Sequence, residues 1–212
     1  MSILQSTFEQ LSAPWNQAVE IWISGGWAMI AIAVNAFVMF AVGVHVYLKL
    51  RAKGFYRTSE KKWRHWIDNP AARRGPIGIL LDDATSGKDP QETSVIFDDL
   101  RATEIVPFER DLRVMKVCVS AAPLLGLLGT VTGMLATFGA LATGAGGEET
   151  MGLVAEGISE ALITTETGLV IAIPGLFFSY HLTRQHDKYK AFLAHLETVC
   201  TQGIYWKNKG DK

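Results

Sequence analysis

Residues 158–175 read ISEALITTETGLVIAIPG, an apolar stretch that nevertheless contains Glu160, Glu166 and four hydroxyl side chains. The apolar residues around them are those of a helix inside a membrane. A carboxylate in hydrocarbon costs about 3 kcal/mol or more, so such a group faces a protein interior or a watery cavity and commonly marks an ion or substrate path. The stretch therefore predicts a membrane helix with a polar function.

The positions of the basic residues also predict a membrane protein. All 20 Lys and Arg residues lie between Lys49 and Lys116 or from Arg184 onward. A soluble protein needs cations around its whole surface, whereas long apolar tracts without cations are typical of lipid-embedded segments. The formal net charge of -1 gives no indication of nucleic-acid binding, and we expect no nucleic-acid partner. The predicted fold class is an all-α integral membrane protein.

Three crossings fit the apolar tracts. Residues 26–48 can cross a core of about 30 Å at about 1.5 Å per residue. The second tract is too long for one span, and GAGGEET at 144–150 supplies a short aqueous turn. We therefore predict an outer segment 1–25, a transmembrane helix 26–48, a cytoplasmic helical loop 49–112, a transmembrane helix 113–141, an outer turn 142–150, a transmembrane helix 151–182, and a cytoplasmic C-terminal helix and tail 183–212.

Charge also predicts the orientation. Cytoplasmic flanks collect Lys and Arg, and Lys49, Lys116 and Arg184 each stand at such a flank. We expect the N-terminus outside and the C-terminus in the cytoplasm. Cys118 and Cys200 then lie at or inside the reducing face of the membrane, so we expect free thiols.

Three further segments carry expectations. An interfacial helix or a frayed terminus fits the apolar positions Leu4, Phe8, Leu11 and Trp15. In the loop, Asp89 and Pro90 predict the start of a helix that Pro107 should kink. After the third span, an apolar seam needs a partner helix, which either the loop or a neighbouring copy could supply; its residues are Leu182, Tyr189, Phe192, Leu196 and Val199.

Small residues form one stripe on each of the two long spans. On the third span they fall within about 60 degrees of one another. In lipid, such stripes let helix backbones approach closely. On the second span the face comprises Ala122, Gly126, Thr130, Gly133 and Thr137; the predicted packing residues are Gly126, Gly133, Gly157, Ala161, Gly168 and Ala172.

Depth brings two polar residues to the same level. Glu160 lies about 14 Å from the outer end of its span and Thr130 about 16 Å from the outer end of the second. The sequence has no His/Cys cluster at metal-ligand spacing and no paired catalytic groups, so we expect no metal, no cofactor and no enzyme. An ion path and a purely structural scaffold are both compatible with the stripes of small residues. The scaffold, however, does not explain why Glu160 and Thr130 lie at the same depth.

On a helical wheel of the third span, Glu166 lies about 180 degrees from the stripe of small residues. Because a charged carboxylate facing hydrocarbon is too costly, it should be protonated or turned to a neighbouring helix. One alternative pairs it with His45 of the first span. The other places it at the pore beside Thr165 as an additional ion site.

Two motifs carry a resemblance to a known family. LLGLLGTVTGM at 124–134 and GISEALITTETGLVIAIPG at 157–175 resemble the MotA/TolQ/ExbB proton-channel family, most closely ExbB, and the order of spans is similar. The resemblance implies a stator in the bacterial inner membrane, typically a homopentamer around a single-span ExbD-type partner. That partner supplies an intramembrane Asp, and the motor works on a TonB-type protein for outer-membrane nutrient uptake.

The resemblance also implies roles for single residues. Glu160, Thr130 and Thr165 match the family's intramembrane Glu and its two Thr residues. Glu166 departs from the family, which more often has a small apolar residue there. A TolQ-type subunit serving envelope integrity is the alternative within the family, and protons or sodium could be the coupling ion.

Overall fold

The computed structural model describes residues 19, 22, 24–55, 58–87, 89–142 and 147–210. The apolar positions predicted for an interfacial helix, Leu4 to Trp15, lie outside the described residues. The described residues contain helices and no strand, which confirms the all-α prediction. In chain order the helices are α1 Gly26–Ala52, α2 Glu60–Asp68, α3 Gly75–Ala84, α4 Pro90–Glu104, α5 Val106–Ala142 and α6 Glu148–Gly210, with a short 3-10 turn at Pro70–Ala72.

Three of these helices can cross a membrane. α1, α5 and α6 are each long and apolar enough to span a bilayer, which confirms the three predicted crossings. The chain is a multi-pass membrane protein. α5 ends at Ala142 and α6 begins at Glu148, so the break between them coincides with the predicted outer turn.

α6 is one helix of 63 residues. It passes from the apolar third span into the charged C-terminal region without a break at residue 182. The predicted C-terminal helix is therefore the continuation of the span. Arg184 and the Lys residues after it are charged, but Arg and Lys have a high helix propensity, so the helix continues through them. α6 contains Pro174 and α5 contains Pro123 inside the helix.

The loop between the first two spans is helical. α4 begins at Pro90 after Asp89, whose extended backbone (φ -122, ψ 155) is that of an N-cap, as predicted. At Pro107 the structure has a break in place of a kink, since α4 ends at Glu104 and α5 begins at Val106. Pro107 thus stands in the first turn of α5, where its missing N–H leaves no hydrogen bond unmade.

The chain divides into two compact units. Unit 1 comprises residues 1–40 and 116–176, and unit 2 comprises 41–115 and 177–212. In unit 2 the apolar seam packs against the chain's own loop. The ring of Tyr189 lies 5.2 Å from that of Phe55, and the ring of Phe192 lies 5.9 Å from that of Trp63. The loop is therefore one partner of the seam, and a contact with a neighbouring copy stays a prediction.

Both cysteines are free thiols. Cys200 lies buried in unit 2, and burial raises the pKa of its thiol to about 11, because the charged thiolate is poorly solvated there. Its thiol is therefore a packing group, not a reactive one.

Candidate functional site

The candidate site lies in unit 1, where α5 and α6 run antiparallel. Gly133 faces Gly157, and a Cβ atom on Gly133 would lie 2.7 Å from the carbonyl oxygen of Gly157. A Cβ atom on Gly168 would lie 2.7 Å from the carbonyl oxygen of Ala122. The two backbones are therefore close enough that only glycine fits at these points. All six residues expected to pack are buried, namely Gly126, Gly133, Gly157, Ala161, Gly168 and Ala172.

Hydroxyl groups join the same two helices. Thr165 Oγ1 donates a hydrogen bond across the contact to the carbonyl oxygen of Gly126, at 3.1 Å. Thr164 is fully buried, and its Oγ1 donates to the carbonyl oxygen of Ala161 at 3.0 Å. The side chain of Thr164 packs on Gly129, in the space where a Cβ would lie. Sequence reasoning did not single out Gly129, although three glycines at spacings of three and four in LLGLLGTVTG were the available signal.

The register sets the depth of Glu160. Because Gly133 faces Gly157 and Gly126 faces Thr165, the turn of α5 that contains Thr130 is level with Glu160. Thr130 Oγ1 donates to the carbonyl oxygen of Leu127 in its own helix, at 2.7 Å. The structure thus puts the carboxylate and the hydroxyl at one depth, both half-buried, without a hydrogen bond between these two described side chains.

The carboxylate of Glu160 packs on the first residue of α1. Gly26 has a left-handed backbone with φ of +64, and a Cβ atom there would overlap the Oε1 atom of Glu160. Sequence reasoning missed this contact. The Gly25–Gly26 pair ahead of the first span was its only sequence signal, and a pair of glycines is equally typical of an ordinary turn.

Glu166 lies away from this packed face. Its side chain is exposed on α6 in a row with Leu162 and Val170, whose exposed fractions are 66% and 61%. His45 belongs to unit 2 and Glu166 to unit 1. The pairing of these two residues and the pore role of Glu166 both stay predictions.

A half-buried amide connects α1 to α5. Asn35 Nδ2 donates a hydrogen bond to the carbonyl oxygen of Cys118, at 3.0 Å. This bond satisfies the polar side chain that interrupts the first span, as lipid offers it no other partner. Unit 1 therefore holds three helices in contact, with Glu160 reaching from α6 to the start of α1.

Known proteins share the segments that build this site. The sequence model of the MotA/TolQ/ExbB proton channel family matches residues 69–194. "Putative biopolymer transport protein ExbB-like 3" of Synechocystis sp. is 33% identical over 118 residues, which are 56% of this chain and 54% of that protein. "Biopolymer transport protein exbB1" of Vibrio cholerae is 36% identical over 88 residues, 42% of this chain and 38% of that protein.

A relative with a different name matches to a similar extent. "Tol-Pal system protein TolQ" of Haemophilus influenzae is 33% identical over 108 residues, 49% of this chain and 46% of that protein. The chain spans about half or less of the length of these relatives. The family match covers more than half of this chain and includes both long spans with the glycine contacts and Glu160. The chain belongs to the MotA/TolQ/ExbB proton channel family.

Proposed function

We propose that this chain is a stator subunit of a proton-driven motor in the bacterial inner membrane, with its N-terminus outside and its C-terminus in the cytoplasm. The observation that carries the proposal is the position of Glu160. Glu160 places a carboxylate at the depth of Thr130, on a pair of helices whose backbones otherwise pack closely at glycine residues. A group so costly to place in lipid is retained for ion movement.

Each polar residue of the site has its own role in the proposed proton path. Glu160 binds and releases the proton, because a carboxyl group positioned on the path can act as a proton-transfer group. The hydroxyls of Thr130 and Thr165 each donate to a backbone carbonyl and keep acceptor lone pairs, so each can accept a hydrogen bond from a water on the path. Glu166 adds a second acidic site on the path. The packing glycines keep α5 and α6 rigid while the proton moves.

One chain supplies only part of such a path. We propose a homo-oligomer, typically a pentamer, around an ExbD-type single-span membrane protein that carries the complementary intramembrane carboxylate. The exposed apolar face of α6 around Glu166 would then be covered by protein, which removes the cost of a carboxylate against hydrocarbon. The motor would work on a TonB-type protein for nutrient uptake.

A TolQ-type role in envelope integrity is the second candidate, because a relative named TolQ has the same 33% identity to this chain as the relative named ExbB-like 3. The two roles differ in the protein on which the motor acts. Co-purification of the assembled complex with a TonB-type but not a TolA-type protein is expected. Capture of the TolA-type protein alone would assign the second role.

The central test is Glu160→Gln in the complex with its co-encoded partner, reconstituted into liposomes with a pH-sensitive dye inside. Loss of the carboxyl group should lower proton flux by roughly a hundredfold or more, the range seen when a proton-transfer group is removed. Glu156→Gln is the matched control, an exposed acid one turn away on the same helix, and it should leave flux unchanged. Equal flux in Glu160→Gln and the unmodified chain would overturn the proposal, and flux driven only by a sodium gradient would overturn the proton assignment.

A further inference from the structure

The start of α1 is built around the Glu160 carboxylate. Gly26 is the first residue of the helix and has φ of +64. A Cβ atom on Gly26 would overlap Glu160 Oε1 and lie 2.6 Å from Cδ and 3.4 Å from Cγ. The end of the Glu160 side chain therefore occupies the space that any other residue at position 26 would fill.

This position also suits the charge of the carboxylate. The first four N–H groups of a helix have no acceptor within the helix, and the partial charge at this end is positive. When Glu160 is charged, the partial charge at the first turn of α1 would favour its carboxylate there, in addition to the packing. Pushing it aside would remove both contributions.

We propose that Gly26 is a positioning residue for Glu160. Because Gly26 has no side chain, the carboxylate of Glu160 can lie against the first turn of α1. The proposal rests on the proposed role of Glu160 in ion movement. It adds a residue of the first span to a path otherwise assigned to the second and third spans.

The neighbouring glycine differs from Gly26. A Cβ atom on Gly25 would lie close to the Cγ and Sδ atoms of Met29, and 3.4 Å from Cγ2 of Ile163. A methyl group on Gly25 would therefore displace the buried side chain of Met29, whereas a methyl group on Gly26 would displace the Glu160 carboxylate.

The first experiment measures proton flux in proteoliposomes of the complex. Gly26→Ala should lower flux by about tenfold to a hundredfold, the scale of loss when a reacting group is displaced by about 1 Å. Gly25→Ala displaces Met29 and not the carboxylate, so it should lower flux less than Gly26→Ala does. Gly54→Ala controls for the backbone, because Gly54 has φ of +67 and a Cβ atom there would meet no atom closer than 4.0 Å. It should leave flux unchanged.

The rescue variant separates positioning from a general defect. Glu160→Asp shortens the side chain by one methylene, so its carboxyl carbon takes the place of Cγ, 3.4 Å from a Cβ atom at position 26. The overlap is then smaller, and adding Gly26→Ala to Glu160→Asp should lower flux by a smaller factor than Gly26→Ala does in the unmodified chain. The same fold-loss from Gly26→Ala in both backgrounds would overturn the proposal.

A stability measurement tests the contact independently of ion flow. In detergent, Gly26→Ala should lower the midpoint of thermal unfolding more than Gly54→Ala does, and this excess should vanish in the Glu160→Ala background. An excess that persists without Glu160 would overturn the positioning role. If flux is normal in Glu160→Gln while the stability coupling is present, the contact stands and the proposed function fails.

Discussion

The two units of this chain hold their helices together by opposite means. In unit 1, α5 meets α6 through glycine and hydroxyl groups, as at Gly133 and Gly157. In unit 2, helices meet through aromatic rings and ion pairs, as between Tyr189 and Phe55 and between Lys190 and Glu109. Lipid is as apolar as the side chains, so helices in it gain from close backbone packing, whereas helices in water gain from burying rings.

This difference predicts how each unit fails. The glycine contact of unit 1 has no space for added volume, so substitutions that enlarge a side chain should harm it most. The ring contacts of unit 2 depend on what the side chains supply, so substitutions that remove a group should harm it most. Both expectations can be tested with pairs of variants that differ only in location.

The largest effect is expected at Gly133. In Gly133→Val the new side chain would overlap the backbone of Gly157, and overpacking of this kind costs about 1–3 kcal/mol or more of unfolding free energy. Gly139→Val is the matched control, because Gly139 lies on the same helix and a Cβ atom there would meet nothing within 4 Å. Thermal unfolding of both variants in detergent measures the difference. Equal destabilisation would show that the close contact is not what holds unit 1.

Much of unit 1 could be predicted from the sequence. The spans follow from tracts without cations, and the packed faces follow from small residues at helical spacing, as with Gly126, Gly133 and Gly157. The register then follows from depth, since the predicted outer turn places the end of the second span and the start of the third at the same membrane surface.

The contacts that could not be predicted from the sequence join different helices, and the helical periodicity of the sequence does not specify them. The Glu160–Gly26 contact joins residues 134 positions apart. A helical wheel shows which residues share one face of a helix, but not which residue of another helix they contact. Asn35 reads as a single polar interruption, yet its partner is a backbone carbonyl that every residue has. In unit 2, the short helices α2 and α3 depend on packing more than on local preference, because isolated helices of this length are marginal.

A smaller effect is expected from Tyr189→Phe in unit 2. Tyr189 is buried, and its hydroxyl donates a hydrogen bond to Glu104 Oε2 at 3.1 Å. Burial raises the pKa of the phenol, so it stays a neutral donor. Glu104 keeps its ion pair with Lys53, so the variant should lose about 0.5–1.5 kcal/mol of unfolding free energy, the net value of one hydrogen bond. Tyr180→Phe is the control, since Tyr180 is 67% exposed, and it should lose less. Equal losses would argue against the bond to Glu104.

The smallest effect is expected at the exposed pair of Lys190 and Glu109, whose Nζ and Oε1 atoms are 2.8 Å apart. The hydrogen bond from Lys190 holds the pKa of Glu109 below its usual value of 4.5, with further help from the nearby charges of Lys190, His186 and Arg113. A carboxyl group whose pKa is lower in the folded state stabilises the fold above the usual carboxyl pKa, and this stability is lost as the pH falls through the folded pKa. The bond to Glu109 also raises the pKa of Lys190, so the pair's contribution declines again only as the pH rises through the alkaline range of lysine.

Lys190→Gln should therefore lower stability slightly at neutral pH, and the difference from the unmodified chain should shrink as the pH falls towards 3. Because the pair is exposed to water and salt, the loss should be smaller than that of Tyr189→Phe. Thermal unfolding from pH 3 to pH 8 at low salt measures it, with Lys188→Gln as the neighbouring-cation control. A difference that stays constant over that range would mean that Lys190 stabilises unit 2 through its methylene packing and not through the charge of Glu109.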